Sequence, residues 1–113
     1  MNIFQIKKLL RKIKPERIKT SDKVRFKIEN VHRVELRTVL ENLENPKLLK
    51  SVEEQPSRRP HDKTYGLLFE LTKRKILFVV ITYKVLQNKI YLVTAFPSNK
   101  KIEKIIKKAK IRN

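Results

Sequence analysis

The stretch YGLLFELTKRKILFVVITYKVLQNKIYLVTAF, residues 65–96, decides the fold. It holds three apolar segments, 65–71, 76–83 and 89–96, parted by the polar breaks 72–75 and 84–88. Val, Ile, Leu, Phe and Tyr dominate, and no proline occurs before Pro97. That is strand composition at strand length, with hairpin-length connections. In the first segment Tyr65, Leu67, Phe69 and Leu71 fall on one face, and Gly66, Leu68 and Glu70 on the other. The second, ILFVVI, is apolar at every position, as a central strand covered on both faces must be. The three segments predict an antiparallel meander. No other part of the chain has the apolar content for a substantial core, so the remainder has to pack around it.

Upstream, Val24, Phe26 and Ile28 alternate with Arg25 and Lys27, which predicts a fourth, half-buried strand over 24–28. Residues 16–22 read as a connector. Residues 31–43 read as a helix, because Leu36, Val39, Leu40 and Leu43 recur at i, i+3, i+4 and i+7 and Asn45-Pro46 stops it. Residues 47–64 are basic and punctuated by Pro56 and Pro60, and they read as a long mobile loop. Residues 2–14 predict a basic amphipathic helix on Ile3, Ile6, Leu10 and Ile13, ended by Pro15. Residues 98–110 predict another, on Ile102, Ile105, Ile106 and Ala109. The expected architecture is α+β: a single domain over 1–113, a four-stranded, largely antiparallel sheet, and helices mainly on one face.

Charge is the loudest signal in the composition. Lys and Arg number 29 against 11 Asp and Glu, a net charge of +18. Both ends are basic, whereas residues 28–45 carry two Arg against four Glu. A field of this size on a small domain favours polyanions, with nucleic acid ahead of an acidic protein or membrane surface. There is no cysteine, hence neither a disulfide nor a thiolate zinc site. The longest apolar run is six residues, far below the roughly 18 that a membrane helix requires. Lysines and arginines scattered through residues 7–12 deny that segment a signal-peptide core. A cytoplasmic protein without a membrane partner is expected.

Several catalytic classes lack their residues. His32 and His61 stand 29 positions apart with no carboxylate cluster at ligand spacing, so no metal or other cofactor is expected. The lone Gly66 excludes a glycine-rich phosphate loop, and no nucleophile-elbow motif occurs. What remains is acid–base chemistry by His, Tyr, Lys or Arg in a cationic setting, which suits RNA cleavage through the 2′-hydroxyl. His32 is the candidate acid–base group, with Arg33 or Arg37 beside it. Arg58, Arg59 and His61 are candidates to reach over a substrate. Tyr65, Tyr83 and Tyr91 are candidates for stacking or proton donation, Tyr83 being the one retained. Lys100 and Lys101, at the start of the last helix, are candidate phosphate ligands. Each has a plainer reading as a helix-surface, sheet-packing or solvated residue.

The order of elements resembles that of the RelE superfamily of toxins, in particular its small BrnT-like branch. The resemblance rests on a strand leading to His32 and Arg37, on LENLENP (40–46), YGLLFEL (65–71), ILFVVITY (76–83) and IYLVTAFPSNKK (90–101). It spans about residues 24–101, leaving the N-terminal helix as an addition and no arginine within 76–83. It implies a compact sheet with helices on one side and metal-independent endoribonuclease activity, often on the ribosome. An acidic antitoxin partner is implied as well. Under this reading His32, Arg37 and Tyr83 are catalytic, and Arg33, Arg58, Arg59, His61, Lys100 and Lys101 bind RNA. Two alternatives stand beside it: a non-catalytic nucleic-acid-binding protein, and an interaction module for an acidic protein. A homodimer is compatible with all three.

Overall fold

The computed structural model describes residues 1–98. The expected helix over 98–110, with Lys100 and Lys101, lies outside the described residues. The meander forms as the alternation requires. β3 (Asp62–Glu70), β4 (Ile76–Lys84) and β5 (Lys89–Ser98) pair antiparallel, with Leu67 opposite Val79 and Val79 opposite Ala95. The first connection closes on Thr72, whose Oγ1 accepts from the backbone N–H of Arg74 and Lys75 at 3.3 and 3.0 Å. In the second, Asn88 takes the left-handed conformation (φ 50°), which its short polar side chain tolerates.

The sheet has five strands in the order β1-β5-β4-β3-β2, not the expected four. β1 (Ile18–Lys19) runs parallel to β5 from within the expected connector, which makes the sheet mixed. β2 (Leu49–Gln55) pairs antiparallel with β3, so the middle of the expected 47–64 loop is an edge strand and its last three residues begin β3, and only residues 56–61 connect the two. A bulge between Leu49 and Ser51 places Leu49 and Val52, three apart, on the core side, so the two-residue period is broken in the sequence. Lys50, Glu53 and Glu54 give the strand the charged character of an edge.

Residues 24–28 are not a strand. They belong to α2 (Asp22–Phe26), which runs on into a π-turn, Lys27–Val31. Ser21 caps α2, its Oγ accepting from the Val24 N–H at 3.2 Å. The period-2 reading depended on Phe26 pointing inward, but Phe26 is 63% exposed while Ile28 is fully buried. Val24 and Ile28 stand four apart and meet the core from one helical face. The expected 31–43 helix starts late, as α3 (Leu36–Glu44). The chain first closes the π-turn through His32 N–H to Lys27 O and Val34 N–H to Ile28 O, each 3.0 Å, with Arg33 left-handed at φ 54°.

α1 (Ile3–Lys12) is capped reciprocally by Asn2 and Gln5 and ends before Pro15. It buries Ile6 and Leu10, and Ile13 just beyond its end is buried too. α3 buries Val39 and Leu43, and these side chains share one core with Leu67, Phe69, Leu77, Val79, Ile81, Ile90 and Leu92. The described helices thus cover one face of the sheet. The other face carries a smaller apolar cluster of Leu68, Ile76, Phe78 and Val80, with Phe96 against it. Gly66 makes room for that cluster: a Cβ there would stand 2.8 Å from the Phe78 ring and 3.0 Å from the Gln55 side chain. No helix among the described residues is long and apolar enough to cross a membrane.

Candidate nucleic-acid interface

Strand register sorts the second face of the sheet into rows. Gln55, Thr64, Thr82 and Tyr91 align across β2, β3, β4 and β5. One row further toward the loop, Asp62, Lys84 and Lys89 align in the same way. Hydrogen bonds hold these rows. The Ser57 hydroxyl donates to Thr64 Oγ1 at 3.0 Å, and the Thr64 and Thr82 hydroxyls are 3.1 Å apart. Lys84 Nζ donates to Asp62 Oδ2 at 3.3 Å and stands 5.4 Å from the Tyr91 ring centroid. Residues 56–61 bring Arg58 and Arg59 to the same place.

The result is a groove of about 490 Å³ with Arg58, Arg59, Lys84, Asp62 and Tyr91 on its walls and the two threonines on its floor. Three cations face one carboxylate, so the groove is cationic. Its Tyr91 ring presents a π-face beside them. Val93 and Thr94 together oppose Val80 in a β5 bulge, which leaves Val93 44% exposed at the groove's far wall. Beyond it lies the apolar end of this face. The Phe78 and Phe96 rings pack at 5.1 Å between centroids, and the half-buried His32 ring lies 5.7 Å from Phe96. Cations with aromatic rings along a sheet face are the components that hold a single nucleic-acid strand.

Of the residues nominated by sequence, Arg58 and Arg59 enter this groove. His61 is exposed at the end of their loop, where its carbonyl oxygen accepts from the Val85 N–H at 3.4 Å. His32 sits at the opposite, apolar end. Tyr83 has the other parity: it packs toward the helix-covered core, and its hydroxyl donates to Asn88 Oδ1 at 3.2 Å. Tyr83 also stands five residues along β4 from Phe78, the partner of Phe96, about 17 Å at strand rise. His32 and Tyr83 therefore do not act on one atom in this arrangement.

Arg37 lies elsewhere again. It pairs with Glu41 at 3.0 Å and, with Arg25, lines a groove between α2 and α3 that also holds Glu29, Glu35 and Glu44. Two cations among four carboxylates repel phosphate. Arg33 is exposed in the chain joining α2 to α3. Tyr65 is buried in the core, and burial first, then the nearby Glu54 and Tyr83, pushes its phenol above the ordinary value, so it keeps its proton. Among the described residues no group of three or more His, Asp or Glu is placed to hold a metal ion.

Sequence reasoning passed over Lys84, Asp62 and the threonine pair, and ranked Tyr83 above Tyr91. Parity held the signal. Thr82 and Lys84 continue the face of Phe78 and Val80, whereas Tyr83 continues that of Val79 and Ile81. Comparison with protein-family models, curated proteins and solved structures finds no match to this chain.

Proposed function

We propose that the protein acts on RNA through the groove on the second sheet face, as a metal-independent endoribonuclease of the RelE-like kind. The observation that carries this reading is the convergence of Arg58, Arg59, Lys84, Asp62 and Tyr91 around one open groove. The placement of the described helices on one side of the sheet agrees with what the resemblance implies.

In this reading the strand lies along the groove with a scissile phosphate between Arg58 and Arg59. Asp62 takes the proton of the ribose 2′-hydroxyl. The 2′ oxygen attacks the adjacent phosphorus, and the bond to the 5′ oxygen breaks. The Tyr91 phenol donates its proton to that leaving oxygen, and the arginines hold the charge that builds on the non-bridging oxygens. The products are a 2′,3′-cyclic phosphate and a free 5′-hydroxyl. Lys84 keeps Asp62 and Tyr91 in place. An acidic antitoxin would cover the same basic surface, and the ribosome is a candidate setting for the cut.

A second reading, non-catalytic RNA binding, is favoured by the scattering of His32, Arg37 and Tyr83, because cations and aromatics suffice for binding without chemistry. The deciding experiment incubates long RNA with the protein in EDTA, with and without ribosomes. Wild type is run beside Tyr91→Phe, Arg58→Ala/Arg59→Ala and His32→Ala. The ribonuclease reading expects cleavage in EDTA that falls about 100-fold in Tyr91→Phe while RNA stays bound. It expects cleavage and binding to fall together in the double arginine variant, and little change in His32→Ala. RNA that is bound tightly but uncut in every setting moves the assignment to the second reading.

A further inference from the structure

We infer that the outer face of α1 is a second RNA-contact surface, separate from the groove, which takes the phosphates of a further segment of the same RNA with a base stacked on Phe4. The inference rests on RNA being the partner, but not on cleavage.

The inner stripe of α1 is committed to the core through Ile6, Leu10 and, just past the helix end, Ile13. The outer surface is unlike an ordinary solvated face. Phe4 is 82% exposed, and it lines one shallow groove with Lys7, Lys8, Arg11 and Lys12. These cations stand three, four, seven and eight positions after Phe4, which places them on its side of the helix. None of the four forms an ion pair among the described residues. Lys7 with Arg11, and Lys8 with Lys12, are like charges at i, i+4, a spacing that disfavours the helix. A single Glu would relieve each pair, and α1 has no acidic residue. Arg11 and Lys12, in the last turn, gain from the helix dipole, but Lys7 and Lys8 have no such return for the repulsion they add around an exposed ring. The same set gives a polyanion several phosphate contacts and one stacking platform.

An anionic membrane is the other polyanionic surface with such chemistry. It needs a broad apolar face to enter the lipid boundary. Here the apolar stripe is taken up by the core and Phe4 alone remains among the cations, which favours nucleic acid. Position fixes the class of RNA. α1 packs beside β2, α3 and the turn Pro46–Leu48, on the helix side of the sheet, whereas the groove lies on the other side. A short strand seated in the groove does not reach α1. A folded or long RNA that wraps the domain does.

The chain has no tryptophan, so Phe4→Trp places a single reporter on this face. The probes are a single-stranded RNA of about eight nucleotides, long enough for the groove, and a folded RNA several times that length. Vesicles with and without phosphatidylserine are the third probe. The folded RNA is expected to quench the emission of the introduced indole, and the short strand to bind without quenching. Lys8→Glu/Arg11→Glu should weaken binding of the folded RNA at least about tenfold and reduce its salt slope by roughly two, with the short strand unaffected. Arg58→Ala/Arg59→Ala should weaken both RNAs. Folded RNA bound equally well by the charge-reversed variant, with α-helix content unchanged, overturns the inference and leaves the groove standing. A blue shift of the indole emission on phosphatidylserine vesicles without quenching by RNA overturns it in favour of a lipid surface. Wild type that binds neither RNA overturns the proposed function along with it.

Discussion

The two faces of one sheet are built by the same three strands and do different work. On the helix side, Tyr65, Leu67 and Phe69 of β3 lie against Leu77, Val79 and Ile81 of β4 and are sealed by α1 and α3. On the other side the same strands pass from an apolar end, Leu68, Phe78 and Val80, to the polar rows of Thr64, Thr82 and Lys84. Alternation alone produces the difference, since successive side chains point to opposite faces. One face is given over to the core, and the groove end of the other presents cations, a carboxylate and Tyr91 to solvent. The comparison breaks if a residue from each face costs the same when truncated. Phe69→Ala, which removes a fully buried ring, is expected to destabilise the fold by about 3–5 kcal/mol. Thr82→Ala, at the groove floor, should cost about 1 kcal/mol, the scale of its hydrogen bond. Urea denaturation of both variants decides it.

Gly66 is the tightest point of the second face. Its missing side chain is what lets the Phe78 ring lie across β3. Gly66→Ala should push that ring aside and destabilise by roughly 1–3 kcal/mol, as overpacking does. Trimming the ring in the double variant Gly66→Ala/Phe78→Leu should recover part of the loss. A Gly66→Ala protein as stable as wild type, by thermal unfolding, would mean that the second face packs more loosely than its apolar cluster indicates.

The meander was legible because its residues are unambiguous: residues 76–81 are apolar throughout, and Thr72 and Asn88 sit at the turns. α1 was legible for the same reason, its period ending at Pro15. The misreadings came from short segments in which two periods compete. Val24 and Ile28 fit i, i+4 as well as alternation, and Ser21 decides for the helix by capping it. Leu49 and Val52 fit neither period, because a bulge lies between them. β1 has two residues and is a strand through its pairing with Ile90 and Tyr91, information that lies about 70 positions away. The candidate site shows the same limit. Arg58 and Arg59 stood out by charge, but which tyrosine joins them depends on parity and register across three strands.

A smaller effect sharpens the comparison at the joint between the faces. Arg33 sits left-handed directly after His32, whose ring lies against Phe96, and turns the chain toward α3. A side chain costs about 1–2 kcal/mol in that conformation, and glycine avoids most of it while adding freedom to the unfolded chain. Arg33→Gly should therefore stabilise by about 0.5 kcal/mol. A loss of stability in the same urea titration would assign the Arg33 side chain a contact that outweighs the strain.

The least effect is expected from a proton. Tyr65 belongs wholly to the core face, and burial, with Glu54 and Tyr83 nearby, holds its phenol above the ordinary value. The folded state therefore binds the proton more tightly than the unfolded chain does. This contribution to stability is complete below the unfolded value of about 10 and is lost as the pH rises through the folded value. With no tryptophan in the chain, absorbance near 295 nm follows tyrosinate alone. A late-ionising phenol is expected in the folded protein. It should fall back to the unfolded value once urea unfolds the chain, and Tyr65→Phe should remove it. If Tyr65→Phe leaves the late phase in place, a different phenol is the sealed one, and the division of the tyrosines between the two faces has to be redrawn.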